Sequence, residues 1–239
     1  MTGVRRTLVL IVVGCQPPAP AAVTPDPAPP PVVLQVKSAP ELAAPTAVAA
    51  YEVGSAEIRI DGRAIPVAGD GPIEGVAHDF ARVPRELRDL LQTLAISSVP
   101  SPNDAYFTAK YKLPVQAGMS TGLHGDITIY PYGLAELRAN EAMFVKNFMH
   151  ELGHAWSRIA WAADASAKAA WLAAIASDPS APSEYARTSY RSSGAADEDA
   201  AEATALFFIE RGTPAFAAYR AAMPKRFALI AARFAIIER

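Results

Sequence analysis

The sequence predicts an α+β domain, because strand signals come first in its folded part, helical periodicities follow, and the two do not interleave. The clearest strand signal is Glu57-Ile58-Arg59-Ile60 and Arg63-Ala64-Ile65-Pro66-Val67, alternating about the two-residue turn Asp61-Gly62. The clearest helical signal lies at 134–163, where Phe144, Phe148, Leu152 and Ala155 make one apolar stripe. About 190 residues are available for this domain, enough for a core of its own.

Between these signals the expected elements run in order. Pro84 opens a helix over 84–96, with leucines at 87, 90, 91 and 94. Strands are expected at 105–113 and 126–130, the second (Ile127-Thr128-Ile129-Tyr130) ended by Pro131. After the long helix come helices at 165–177, 196–211, 214–222 and 224–238, with Pro214 and Pro224 near the starts of the last two. Trp156, Trp161 and Trp171 fall on Ala-rich helices and are expected in the core.

The ends and the composition set limits. A net charge of −2 in 239 residues gives no electrostatic footprint for nucleic acid. One cysteine excludes a disulfide framework and any zinc module built on cysteine pairs. Residues 1–14 have the form of an export signal: Arg5 and Arg6, an apolar run from Leu8, then Val12-Val13-Gly14-Cys15. That last stretch resembles the lipobox of bacterial lipoproteins, which makes Cys15 the expected site of lipidation and the membrane anchor. Residues 15–50 are rich in Pro and Ala and nearly uncharged, so an extended, unpacked stalk is expected there. The folded domain is expected at 51–239, as a monomer.

The chemistry is concentrated in His150-Glu151-Leu152-Gly153-His154. Residues four apart on a helix lie about 40° apart in direction and about 6 Å apart along the axis. Two imidazoles so placed can bind one ion, and Glu151 beside them is placed to take a proton from a water that the metal activates. With four His and thirteen Glu in the chain, chance gives about 0.004 such pentapeptides. Gly153 costs about 1 kcal/mol of helix propensity relative to Ala, and its missing side chain permits close approach by a neighbouring segment.

A catalytic site needs a third ligand. No third His follows, so a carboxylate from Asp197-Glu198-Asp199-Ala200-Ala201-Glu202 is expected. Glu198 and Glu202, one turn apart, share a face: one can bind the metal while the other fixes a ligating imidazole.

These residues, together with Ser183-Glu184-Tyr185-Ala186-Arg187-Thr188 and Met223-Pro224-Lys225-Arg226-Phe227, resemble the gluzincin zinc peptidases. The likeness is to the catalytic domain of anthrax lethal factor and its relatives, the Pro-Pro endopeptidases, and it covers residues 126–239. It implies a zincin-like fold and Zn²⁺ held by His150, His154 and Glu198. Glu151 would then be the general base, Glu202 a support behind the ligands, and Tyr185 the phenol that stabilises the oxyanion. Tyr190 rivals Tyr185, because the segment from Tyr190 to Ala196 reads as an insertion relative to the family.

The expected function is therefore that of an exported, lipid-anchored zinc endopeptidase acting on a protein or peptide. The alternative is a non-catalytic, zinc-containing surface lipoprotein that binds a partner. Ile127–Tyr130 has the position of an edge strand for an extended substrate, with a core strand equally open. His124 and His78 are expected to be ordinary surface histidines.

Overall fold

The computed structural model of the chain describes residues 48–111, 114–189 and 195–236. The export signal, Cys15, most of the expected stalk, Leu113 and Tyr190 lie outside the described residues. So do the side chains of Lys110, Tyr111, Tyr185, Thr188 and Ser189.

The α+β class holds: a six-stranded mixed sheet is covered on one face by helices. The hairpin forms as expected. β2 (Glu57–Ile60) and β3 (Arg63–Ala68) pair antiparallel around Asp61 (φ 51°) and Gly62 (φ 81°). Positive φ at both turn positions matches the twist of the flanking strands. β1 (Tyr51–Val53) adds to its outer side, and Ala49 is already tied to the fold through Ala81 O.

Two expectations fail between residues 84 and 113. The helix from Pro84 is a single turn, α2 (Arg85–Arg88), and Thr93–Ile96 is β4, a central strand parallel to β3. Leucines 87, 91 and 94 are all buried, but the last points into the core from a strand. A short apolar run has no period of its own, and here a turn of helix and a strand share one core. The strand expected at 105–113 is helix α3 (Asp104–Tyr111). Asp104 fixes its start by accepting from Ala117 N, and the sheet closes without it.

β6 (Asp126–Ile129) forms as expected but lies inside the sheet, parallel to β4. The edge on this side of the sheet is β5 (Met119–Thr121), antiparallel to β6, so the edge-strand reading moves from 127–130 to 119–121.

The helical run starts earlier than residue 134 and is broken. α4 (Pro131–Ala139) ends at Asn140, whose Oδ1 accepts from Met143 N and caps α5 (Glu141–Ala163). An α1 helix (Ile73–Phe80) not anticipated from sequence packs against α5, with Phe80 and Phe148 rings 5.0 Å apart. Next come α6 (Ala165–Ser177), α7 (Glu184–Ser189), α8 (Ala195–Glu210), α9 (Phe216–Ala222) and α10 (Pro224–Arg233). α7 was not anticipated, and α10 stops short of the expected 238.

Every residue from Phe148 to Ser157 is buried, so the middle of α5 is enclosed on all sides. One side meets the sheet; another meets α8, its most extensive partner. Trp156 and Trp171 are in the core as expected, their rings 5.6 Å apart in a T-shaped pair. Among the described residues no helix is long and apolar enough to cross a membrane.

Candidate metal centre

The site arises where α5 and α8 touch. Gly153 permits it: a Cβ there would sit 2.7 Å from Ala201 Cα and 3.0 Å from Ala201 O. α8 presents Ala201 and Thr204 to this glycine, so the two backbones close to a distance that larger side chains would forbid. Thr204 braces the crossing. Its hydroxyl accepts from Trp156 Nε1 at 2.6 Å and donates to Ala200 O at 2.7 Å.

Across this contact His150, His154 and Glu198 converge, and together they can hold a metal ion. The Nε2 atoms of the two imidazoles are 3.1 Å apart. Glu198 Oε2 lies 3.5 Å from His150 Nε2 and 3.4 Å from His154 Nε2. A tetrahedral site with bonds of about 2.0–2.1 Å has edges of about 3.3–3.4 Å. The three donors therefore fit such a site as they stand. All three residues are 6 % exposed or less, a burial that charged groups tolerate only with a counter-charge.

Glu202, expected behind the ligands, lies with Oε1 2.9 Å from His150 Nδ1, on the side of the ring away from the point where the donors converge. Burial alone would lower the pKa of His150, but Glu198 and Glu202 outweigh it and raise it to about 10. Likewise burial opposes the charging of His154, and Asp197 and Glu198 bring it up to about 9. The carboxylates respond in kind. Against the opposing effect of burial, the imidazoles bring Glu198 down to about 2, and His150 does the same for Glu202. Asp197 is also held well below the usual carboxylate range, against burial, by His154 and Arg158. The cluster is thus built to hold positive charge.

Glu151 is fully buried on the side of α5 that faces β5. Thr121 of that edge strand donates its hydroxyl to Glu151 Oε2, and Oε1 has no hydrogen-bond partner among the described residues. Burial raises the Glu151 pKa, while the two imidazoles and Thr121 pull it back only in part. A carboxyl with one oxygen held and the other open, beside a pair of converging imidazoles, suits proton transfer.

Tyr185 lies on α7, which packs on α8; Ser183, whose Oγ accepts from Ala186 N at the start of α7, also hydrogen-bonds Glu202. Three residues near the site were not anticipated: Thr121, Ser157 and Arg158. The role of Asp197 toward His154 was not anticipated either. Arg158 follows His154 by one helical turn, a signal available in the sequence. Thr121 carries none, because only the fold brings it to Glu151.

His124 is on an exposed turn and His78 is half-buried against Asp79 at 3.0 Å. His78, Asp79 and Glu141 also come within reach of a common ion, but Arg82 pairs with Glu141 and already supplies the positive charge. No protein-family model, curated protein or solved structure matches the chain.

Proposed function

We propose that this chain is a zinc-dependent endopeptidase that works by Glu151-assisted attack of water on a peptide bond. The observation that carries the reading is the convergence of His150, His154 and Glu198 with Glu151 alongside, one oxygen of its carboxylate unbonded. Two imidazoles and a carboxylate suit zinc and iron(II) alike, and the adjacent carboxyl base favours the hydrolytic metal. When bound, zinc supplies Lewis acidity that polarises the scissile carbonyl and acidifies a water.

The residues of the chain do the rest. Glu151 Oε1 accepts the proton of the attacking water and passes it to the leaving amine. Glu202 keeps His150 in the tautomer that presents Nε2 to the metal. The Tyr185 phenol, carried on α7, serves the developing oxyanion, a contribution of about 3 kcal/mol. An extended peptide adds to the edge at β5. There the pairing of Gly118 with Tyr130 and of Gly122 with Asp126 turns the amides of Met119 and Thr121 outward. The proposal includes a protein or peptide as substrate, Cys15 as the lipid anchor after removal of 1–14, and a stalk that carries the domain off the membrane.

Burial favours a second reading, in which the metal is held for structure and the surface binds a partner: Glu151 and His154 are both fully enclosed. Glu151→Gln separates the two. The peptidase reading expects zinc retained at one per chain and chelator-sensitive cleavage of a peptide library lost by at least about a hundredfold. No cleavage by the wild type with zinc bound supports the second, and full cleavage by the variant refutes Glu151 as the base.

A further inference from the structure

We propose that Asp197 and Arg158 form a second positioning device, which fixes the ring of His154 and ties it to the β5 edge of the sheet. It rests on the reading that His154 is a metal ligand.

Each imidazole turns Nε2 toward the common point and Nδ1 toward a carboxylate of α8. For His150 that carboxylate is Glu202 at 2.9 Å; for His154 it is Asp197, with Oδ2 at 3.4 Å. Asp197 sits immediately before Glu198 and Glu202 one turn after it, so the ligand carboxylate is flanked by a support for each ring.

Asp197 is itself held from three directions. Ser157 donates to Oδ1 at 2.7 Å, while Nε and Nη2 of Arg158 both donate to Oδ2 at 3.0 Å. This sharing accounts for the longer reach to His154: Oδ2 answers a guanidinium and an imidazole together. The fork of Arg158 then extends across the site. Its Nη1 donates to Thr121 O at 2.5 Å, with Gly122 O at 3.4 Å.

Thr121 O is one of the outward groups of the edge strand, and the Thr121 hydroxyl holds Glu151. His154 thus faces Asp197 at ion-pair distance, and from Asp197 hydrogen bonds run through Arg158 and Thr121 to Glu151. Arg158 is a positioning residue in this scheme. It orients the carboxylate that orients the ligand, and it anchors the strand beside the base. A lysine keeps the charge but cannot span both partners with a planar fork.

The test measures metal affinity of the full chain by competition with a chromophoric chelator, using zinc, and records the visible spectrum of the cobalt(II) form. Wild type is compared with Asp197→Asn, Arg158→Lys and Glu202→Gln, and circular dichroism reports the fold of each. Asp197→Asn is expected to weaken zinc binding about tenfold, at the lower end of the usual 10–100-fold range for such supports, and to alter the cobalt spectrum. Arg158→Lys is expected to lose about threefold and to shift the cobalt spectrum in the same direction. Should Asp197→Asn fail to fold, Arg158→Lys decides, because it keeps the stem and charge of a partly exposed side chain. Affinities within twofold of wild type with an unchanged cobalt spectrum overturn this inference and leave the metal reading intact. A wild type that binds neither metal overturns both.

Discussion

Replacing Gly153 by Ala adds one methyl group at the closest point between α5 and α8. The new Cβ lands 2.7 Å from Ala201 Cα, where carbon atoms normally rest about 3.5–4.0 Å apart. Backbone stands on the far side, so no side chain can swing away and α8 must withdraw by about 1 Å. Overpacking of this kind costs about 1–3 kcal/mol. Alanine returns about 1 kcal/mol of helix propensity, which leaves a net loss of about 0–2 kcal/mol. At about 2–4 °C per kcal/mol for a domain of this size, the metal-free Tm falls by at most about 8 °C. The effect on the metal is larger. Glu198 lies one turn from Ala201 and moves with it, and donor distances in such sites tolerate only about 0.2 Å. Zinc affinity is therefore expected to fall by at least about tenfold while the fold survives. Thermal melting of the metal-free protein and chelator competition measure the two quantities separately. A raised Tm with unchanged zinc affinity would refute the reasoning, because it would mean that the glycine makes no room for α8.

Three other outcomes are expected. Arg226 is buried, with its fork on both oxygens of Asp199 at 2.7 and 2.8 Å and Nη1 on Asp178 at 3.2 Å. Arg226→Met leaves the buried Asp199 carboxylate without its counter-charge, while Asp178 keeps the backbone amides of residues 225 and 226, and is expected to cost about 3–5 kcal/mol at pH 7. Burial already raises the Asp199 pKa against the pull of Arg226, and without the guanidinium the rise grows, so the deficit narrows as the pH is lowered toward 5; denaturant titrations at the two pH values check this. The carboxylates raise His150 and His154 to about 10 and about 9, and with their Nε2 atoms 3.1 Å apart only one can carry hydrogen there, so the metal-free pair holds one extra proton at pH 7. Zinc binding should release about one proton and tighten as the pH rises toward 9, measurable as a buffer-dependent heat of binding; a buffer-independent heat contradicts it. Thr121→Val removes the bond that favours the charged form of Glu151, so its pKa rises. The acid limb of the kcat/KM profile should move to higher pH, and Thr121→Ser should restore it.

How much of this was legible in the sequence follows from how local each signal is. Asp61-Gly62 dictates its own turn, and the spacing of His150 and His154 dictates a shared face, so both could be found without any fold. Gly153 hinted at a close approach, and Ala201 meets it. The carboxylate that joins the two imidazoles was legible because α8 is a helix whose carboxylates recur at one turn. Leu94 misled, because a strand and a helix that share a core bury the same leucines. The strand reading of 105–113 misled as well, since strand formation depends on a partner that only the sheet provides. Thr121 was invisible for a related reason: its place on the β5 edge depends on β6 lying inside the sheet. The pairing of Asp197 with His154 depends on the crossing of α5 and α8, which no single stretch encodes.

The claim that two helices deliver three donors to one cation is tested most directly by X-ray absorption at the zinc edge on the full chain loaded with one equivalent of zinc. The account predicts four light donors at about 2.0–2.1 Å, with the outer-shell scattering of two imidazoles, one of which disappears in His154→Ala. A spectrum without imidazole scattering, or one that His154→Ala leaves unchanged, would contradict it.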